Sequence, residues 1–198
     1  MKFIIASNNP KKLKELERIL NPLGINAVTA KQEGIILDEV EETGATFAEN
    51  AFLKAQAAFK KTGLPSVADD SGLSVDALDG RPGVYTARYG GENASDEDRY
   101  LKLLDELKEV PAGKRTAHFT SAICCILPDG TVIEAEGICE GKIAFAPCGN
   151  DGFGYDPVFM YGDKSYAQLS AAEKDLVSHR GKALRKLKAE LEEYFKNN

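Results

Sequence analysis

Apolar and polar positions alternate along the chain with two different periods, and the switches between them mark out strands and helices. Residues 2–6 are a short apolar run and predict a buried first strand. Asn9 and Pro10 then read as the N-cap and first residue of a helix. Leu13, Leu16, Leu20 and Leu23 recur at spacings of three and four, one apolar helix face, and Gly24 ends it. Residues 25–29 predict a second strand. Thr46-Phe47-Ala48-Glu49 is a capping box that opens a helix running to about Lys61, with Gly63 and Pro65 as stops. Residues 66–68 predict a short strand that runs into Asp69-Asp70-Ser71-Gly72, and residues 73–78 a further strand.

Residues 80–83 read as a turn. Ser95 with Asp98 caps a helix carrying Tyr100, Leu103, Leu104 and Leu107. Residues 116–127 and 131–139 predict a hairpin about Pro128-Asp129-Gly130. A glycine-rich loop covers 149–157, and Ser170 with Glu173 caps a C-terminal helical region lined by Leu184, Leu187, Leu191 and Tyr194. Early interleaving of strands and helices, followed by a strand-rich middle, predicts one α/β domain over 1–198 on a mixed sheet with helices on its faces.

The chain has 198 residues and a formal charge of −6, which argues against a nucleic-acid partner, since that needs a basic face. An anionic small substrate then requires a local basic pocket, a divalent cation, or both. No apolar run approaches the roughly 20 residues that span a bilayer. The opening apolar stretch is too short for a signal peptide, so no membrane and a cytoplasmic location are expected. Cys124, Cys125, Cys139 and Cys148 form no CxxC pair and read as buried free thiols, the adjacent pair pointing to opposite faces of a strand.

Several stretches carry candidate chemistry. Ser7-Asn8-Asn9-Pro10-Lys11-Lys12 joins a strand end to a helix start, where backbone N–H groups and the helix dipole favour an anion. Lysines in a first turn oppose that dipole unless an anion binds there; the stretch also reads as a plain cap with solvated lysines. Without glycines and a GK[ST] ending it is not a Walker A loop. Four carboxylates at 38–42 read as a solvated loop or as part of a metal site. Asp69 and Asp70 follow an apolar strand, where a carboxylate is costly unless it meets a metal or a cation. With a carboxylate of the acidic loop, one of them is suited to Mg²⁺, a hard ion that prefers oxygen. Glu49 has a complete structural role in its capping box, and Lys54 points to phosphate or to water. Phe153 and Tyr155 among glycines suit stacking on a flat base or a tight β-connection. His179-Arg180 before Gly181, with Lys174 a turn or so earlier, offers hydrogen-bond donors to base carbonyls or phosphate.

Together these motifs resemble the inosine triphosphate pyrophosphatase family. The resemblance is carried in order by Ser7-Asn8-Asn9 with Lys12, Glu41-Glu42-Thr43-Gly44 with Phe47 and Glu49-Asn50-Ala51, Ala68-Asp69-Asp70-Ser71-Gly72, Pro82-Gly83-Val84-Tyr85-Thr86-Ala87-Arg88-Tyr89, Gly152-Phe153-Gly154-Tyr155-Asp156-Pro157, and Ser178-His179-Arg180-Gly181. It implies an elongated α/β fold with a central mixed sheet, two lobes with a substrate cleft between them, and a homodimer. It implies that residues 7–12 hold the triphosphate and that Glu42 and Asp70 bind Mg²⁺, with Mn²⁺ as the alternative ion. Asp70 would also be the general base and Ser71 a substrate contact. Phe153, Gly154, Tyr155 and Asp156 would bind the nucleoside, and Lys174, His179 and Arg180 read base and phosphate. The implied reaction splits non-standard purine triphosphates (ITP, dITP, XTP) into monophosphate and pyrophosphate. A non-catalytic nucleotide sensor and the septum-associated pyrophosphatases of similar fold are the alternatives.

Overall fold

The computed structural model describes residues 1–198 apart from Asn8, Glu39, Glu92 and Asn198, and gives the backbone but not the side chains of Lys11 and Ile19. The expectations for Asn8 and for the Lys11 side chain therefore lie outside the described residues. Seven strands form one mixed sheet in the order β2-β1-β3-β4-β5-β6-β7. These are β1 (Lys2–Ile5), β2 (Asn26–Thr29), β3 (Ser66–Val75), β4 (Thr116–Ile126), β5 (Val132–Ile143), β6 (Phe159–Tyr161) and β7 (Lys164–Ser165). β1 pairs parallel with both β2 and β3, whereas β6 pairs antiparallel with both β5 and β7. Five α-helices accompany them: α1 (Pro10–Leu20), α2 (Phe47–Thr62), α3 (Asp96–Glu106), α4 (Ala171–Val177) and α5 (His179–Asn197).

The chain divides into two compact units, the first comprising Met1–Asp70, Ser121–Gly137 and Arg180–Asn198, the second Ser71–Thr120 and Ile138–His179. In the first unit the two-residue period of the strands sends alternate side chains to opposite faces. Phe3 and Ile5 of β1 join Leu16 and Leu20 of α1 and Leu184, Leu187 and Leu191 of α5 in one core. Ile4 packs on the other face with Ala58 of α2. The adjacent Cys124 and Cys125 separate in the same way, into clusters on opposite faces. In the second unit Leu73, Val75, Leu103, Leu107, Phe119, Tyr155, Phe159 and Tyr166 make the core.

The expected capping boxes form. Thr46 accepts from Glu49 N and Glu49 reaches back to the cap, Ser95 pairs likewise with Asp98, and Ser170 with Glu173. Three expectations need correcting. β3 does not end at Ala68: it is one ten-residue strand running through Asp69-Asp70-Ser71-Gly72 to Val75, after which residues 76–78 form a 3₁₀ turn. Buried cations, described below, make acidic residues tolerable inside it. The C-terminal helical region is two helices, because Ser178 adopts an extended backbone. Cys148 is half-buried, unlike the other three free thiols.

Candidate active site

The first unit gathers seven charged side chains about the middle of β3. Asp69 is fully buried, and burial alone would raise its pKa. Arg180 and Lys12 outweigh that and hold the carboxyl far below the usual carboxylate range. Lys12 Nζ lies 2.6 Å from Asp69 Oδ2. Arg180 approaches both carboxylate oxygens, through Nε at 3.4 Å and a terminal nitrogen at 3.5 Å. Ser121 Oγ donates to Asp69 Oδ1 at 2.5 Å. The other side of the Arg180 guanidinium pairs with Glu15. Arg180 is thereby held between two carboxylates of its own unit. Those carboxylates outweigh burial and raise its already high pKa.

Asp70, the next residue, makes a second cluster. Lys54 Nζ lies 2.7 Å from Asp70 Oδ1 and 3.1 Å from Glu42 Oε1, so two carboxylates converge on one cation. Asn50 Nδ2 donates to Asp70 Oδ2 at 3.4 Å. The same Asn50 accepts from Gly44 N at 2.8 Å through Oδ1, which fixes the end of the acidic loop on α2. Burial raises the Asp70 pKa and Lys54 offsets only part of that, leaving a more basic carboxylate than an ordinary aspartate. The two clusters communicate, since the charge of Lys54 acts on Lys12, whose pKa burial lowers. Position along α2 explains the arrangement: Asn50 and Lys54 are four residues apart and share a face.

The N-terminal stretch adds a turn. Ser7 Oγ accepts from Asn9 N at 3.2 Å, Asn9 Oδ1 accepts from Lys12 N at 3.4 Å, and Pro10 is the first helical residue. Glu49 is exposed and occupied by its cap, accepting from Ala45 N at 2.6 Å and Thr46 N at 3.2 Å.

The second unit gathers the aromatic groups. Asp156 is buried and accepts both from Phe153 N at 2.8 Å and from Lys174 Nζ at 2.5 Å. The Lys174 ammonium lies 4.8 Å from the Phe153 ring centre and 5.4 Å from that of Tyr166. Phe153 is half-buried, while Tyr155 is buried in the core with its hydroxyl on Thr86 O at 3.0 Å. Of these two rings, that of Phe153 is the more exposed. Gly154 N donates to Asp96 Oδ2 at 2.8 Å. His179 is buried and stacks on Phe119, centres 4.6 Å apart and planes 11° apart. Ser71 is half-buried in β3.

The structure therefore brings Lys12, Arg180, Glu42, Lys54 and Asp70 together in the first unit, and Phe153, Asp156 and Lys174 in the second. The sequence marks Asp69 as a carboxylate in need of a metal or a cation, and here it meets two cations, but it gives no role to Glu15 or Ser121. Glu15 was visible as a carboxylate one turn beyond Lys12. Ser121, a small polar residue inside an apolar strand, left no signal.

A family model described as the Ham1 family matches residues 3–190. A protein of Exiguobacterium sp. named dITP/XTP pyrophosphatase is 48% identical over 198 residues, 99% of this chain and 100% of the relative. One of the same name from Bacillus subtilis is 47% identical over 191 residues, 96% of each chain. The solved structure of a HAM1 protein from Coxiella burnetii superposes with a TM-score of 0.89 at 40% identity, covering 98% of this chain and 99% of the other.

Proposed function

Because this chain belongs to the Ham1 family, we propose that it hydrolyses non-standard purine nucleoside triphosphates (ITP, dITP and XTP) to the monophosphate and pyrophosphate. The observation that carries this reading is the convergence of Glu42 and Asp70 on a single cation beside the Lys12–Asp69 pair. Three cations, Lys12, Lys54 and Arg180, face four carboxylates, Glu15, Glu42, Asp69 and Asp70. That set is one charge negative, and a polyphosphate tetra-anion would not enter it unaided. Two hard oxygen donors already sharing a cation fit a divalent ion, with the rest of its shell left to phosphate and water. Glu42 and Asp70 would hold Mg²⁺ or Mn²⁺, which when bound neutralises phosphate charge and polarises the reacting phosphoryl group.

The remaining roles belong to the chain itself. Asp70 accepts a proton from the water that attacks the α-phosphorus, and pyrophosphate departs. Lys12 and Lys54 oppose the negative charge that grows on the phosphoryl oxygens. Residues 7–12 present the N-terminus of α1 to the phosphates. In the second unit Phe153 stacks on the purine, with Lys174 and Asp156 fixing its loop. Glu49 serves the fold through its cap, and Arg180 acts through Asp69 and Glu15.

A homodimer and a cytoplasmic site of action are part of this reading. No helix among the described residues is long and apolar enough to cross a membrane. The decisive experiment is pyrophosphate release over a panel of ITP, dITP, XTP, GTP and ATP, with Mg²⁺ and with EDTA. Monophosphate and pyrophosphate from the first three, only with metal, are expected. Diphosphate and inorganic phosphate as first products would refute the assigned bond.

A further inference from the structure

Lys54 stands where the divalent ion is expected. Its ammonium is 2.7 Å from Asp70 Oδ1 and 3.1 Å from Glu42 Oε1, and the side chain is 16% exposed. An ammonium that bridges two carboxylate oxygens competes with a metal ion for that position, because the two positive charges repel at close range. The lysine stem is a flexible chain that can carry its head elsewhere, and Asn50 Nδ2 donates to the other oxygen of Asp70.

We infer that Lys54 is an exchangeable place-holder for the metal. It neutralises Glu42 and Asp70 in the metal-free protein, is released when a divalent ion is bound, and then turns its charge to the phosphates of the nucleotide. This deepens the proposed function and rests on Glu42 and Asp70 being the metal donors. Two consequences follow from linkage. Metal binding to the free protein is weakened by competition from the ammonium, and metal and nucleotide reinforce each other, because the displaced lysine gains a new partner only when phosphate is present.

Binding of Mn²⁺ alone, without nucleotide, tests this on the full-length protein by electron paramagnetic resonance of the free ion. Lys54→Met and Lys54→Gln remove the competing charge and are expected to tighten Mn²⁺ binding about 10-fold or more, within the roughly 5- to 150-fold span of typical couplings between ligands. Lys54→Arg retains a cation and should stay within about 3-fold of the unaltered protein on the same scale. Neutral variants that bind Mn²⁺ no more tightly than the parent overturn the place-holder. The gain in Tm on adding Mn²⁺ provides a readout even where a variant is less stable; it should be larger in the neutral variants, and an equal or smaller gain overturns the inference. Glu42→Gln and Asp70→Asn separate the two levels. Loss of Mn²⁺ binding in both supports the donor assignment, whatever Lys54 does. Retention in both removes the metal site itself and the place-holder with it.

Discussion

Lys12 Nζ sits 2.6 Å from a carboxylate, Asp69, that no solvent reaches. That carboxylate also receives Arg180 and Ser121, so one buried charge ties α1, β3, β4 and α5 of the first unit together. Asp69→Asn keeps the shape but takes the counter-charge from Lys12 and leaves the buried Arg180 with Glu15 alone. Breaking one partner of a buried pair costs about 3–5 kcal/mol. Ser121→Ala removes a hydrogen bond to a charged group and should cost about 1.5–3 kcal/mol. Urea denaturation of the metal-free protein measures both, and an Asp69→Asn variant as stable as the parent would contradict the anchoring role.

Asp70→Asn removes the proposed proton acceptor and one proposed metal donor while preserving the side-chain volume. Loss of a general base alone typically costs 10²–10⁴-fold in rate. A fall in kcat of at least that size is expected, with the circular dichroism spectrum unchanged. Activity within a few fold of the parent would take Asp70 out of the reaction.

Glu42→Gln tests the other donor. Turnover should vanish in excess EDTA for any form of the protein, and Glu42→Gln should need more Mg²⁺ to reach half-maximal rate. Full activity in EDTA would discard the metal-dependent route.

Affinity for the purine and choice among purines are proposed to fall to different residues of the second unit, Phe153 and His179. Phe153 offers a face to any purine, so Phe153→Ala should lower kcat/KM for ITP and ATP about equally. His179→Phe keeps the stack on Phe119 but removes both ring nitrogens. Hypoxanthine presents a 6-oxo acceptor where adenine presents a donor, and an unpaired buried polar group costs about 1–3 kcal/mol. The ITP-to-ATP ratio should therefore narrow by roughly 5- to 150-fold in His179→Phe. Kinetics in which Phe153→Ala abolishes the preference and His179→Phe leaves it intact would reverse these roles.

What could be read in advance follows the range of the forces involved. Capping boxes at Thr46, Ser95 and Ser170 are contained within four residues each, and all three form. The continuity of β3 was not legible, because Asp69-Asp70-Ser71-Gly72 has the composition of a turn. It remains a strand because Arg180, 111 positions away, and Ser121, 52 positions away, meet Asp69. No local pattern announces such partners. Glu15 and Asp69 likewise hold the guanidinium of Arg180, which next to His179 reads as a donor to base or phosphate. The Tyr155 ring lies in the second core, whereas Phe153 is half-buried.

The loop that carries Phe153 also constrains how this gene can vary. Gly152 has a backbone φ of +81°, and a Cβ added there would collide with Asp156 Oδ2. That oxygen receives both Phe153 N and Lys174 Nζ. Every amino acid reachable from a glycine codon by one base change carries a Cβ, so each such missense change would press on the carboxylate that fixes the loop. Codon 152 has no neutral single-step neighbour other than another glycine codon, and saturation mutagenesis under selection for turnover should return glycine alone at that position.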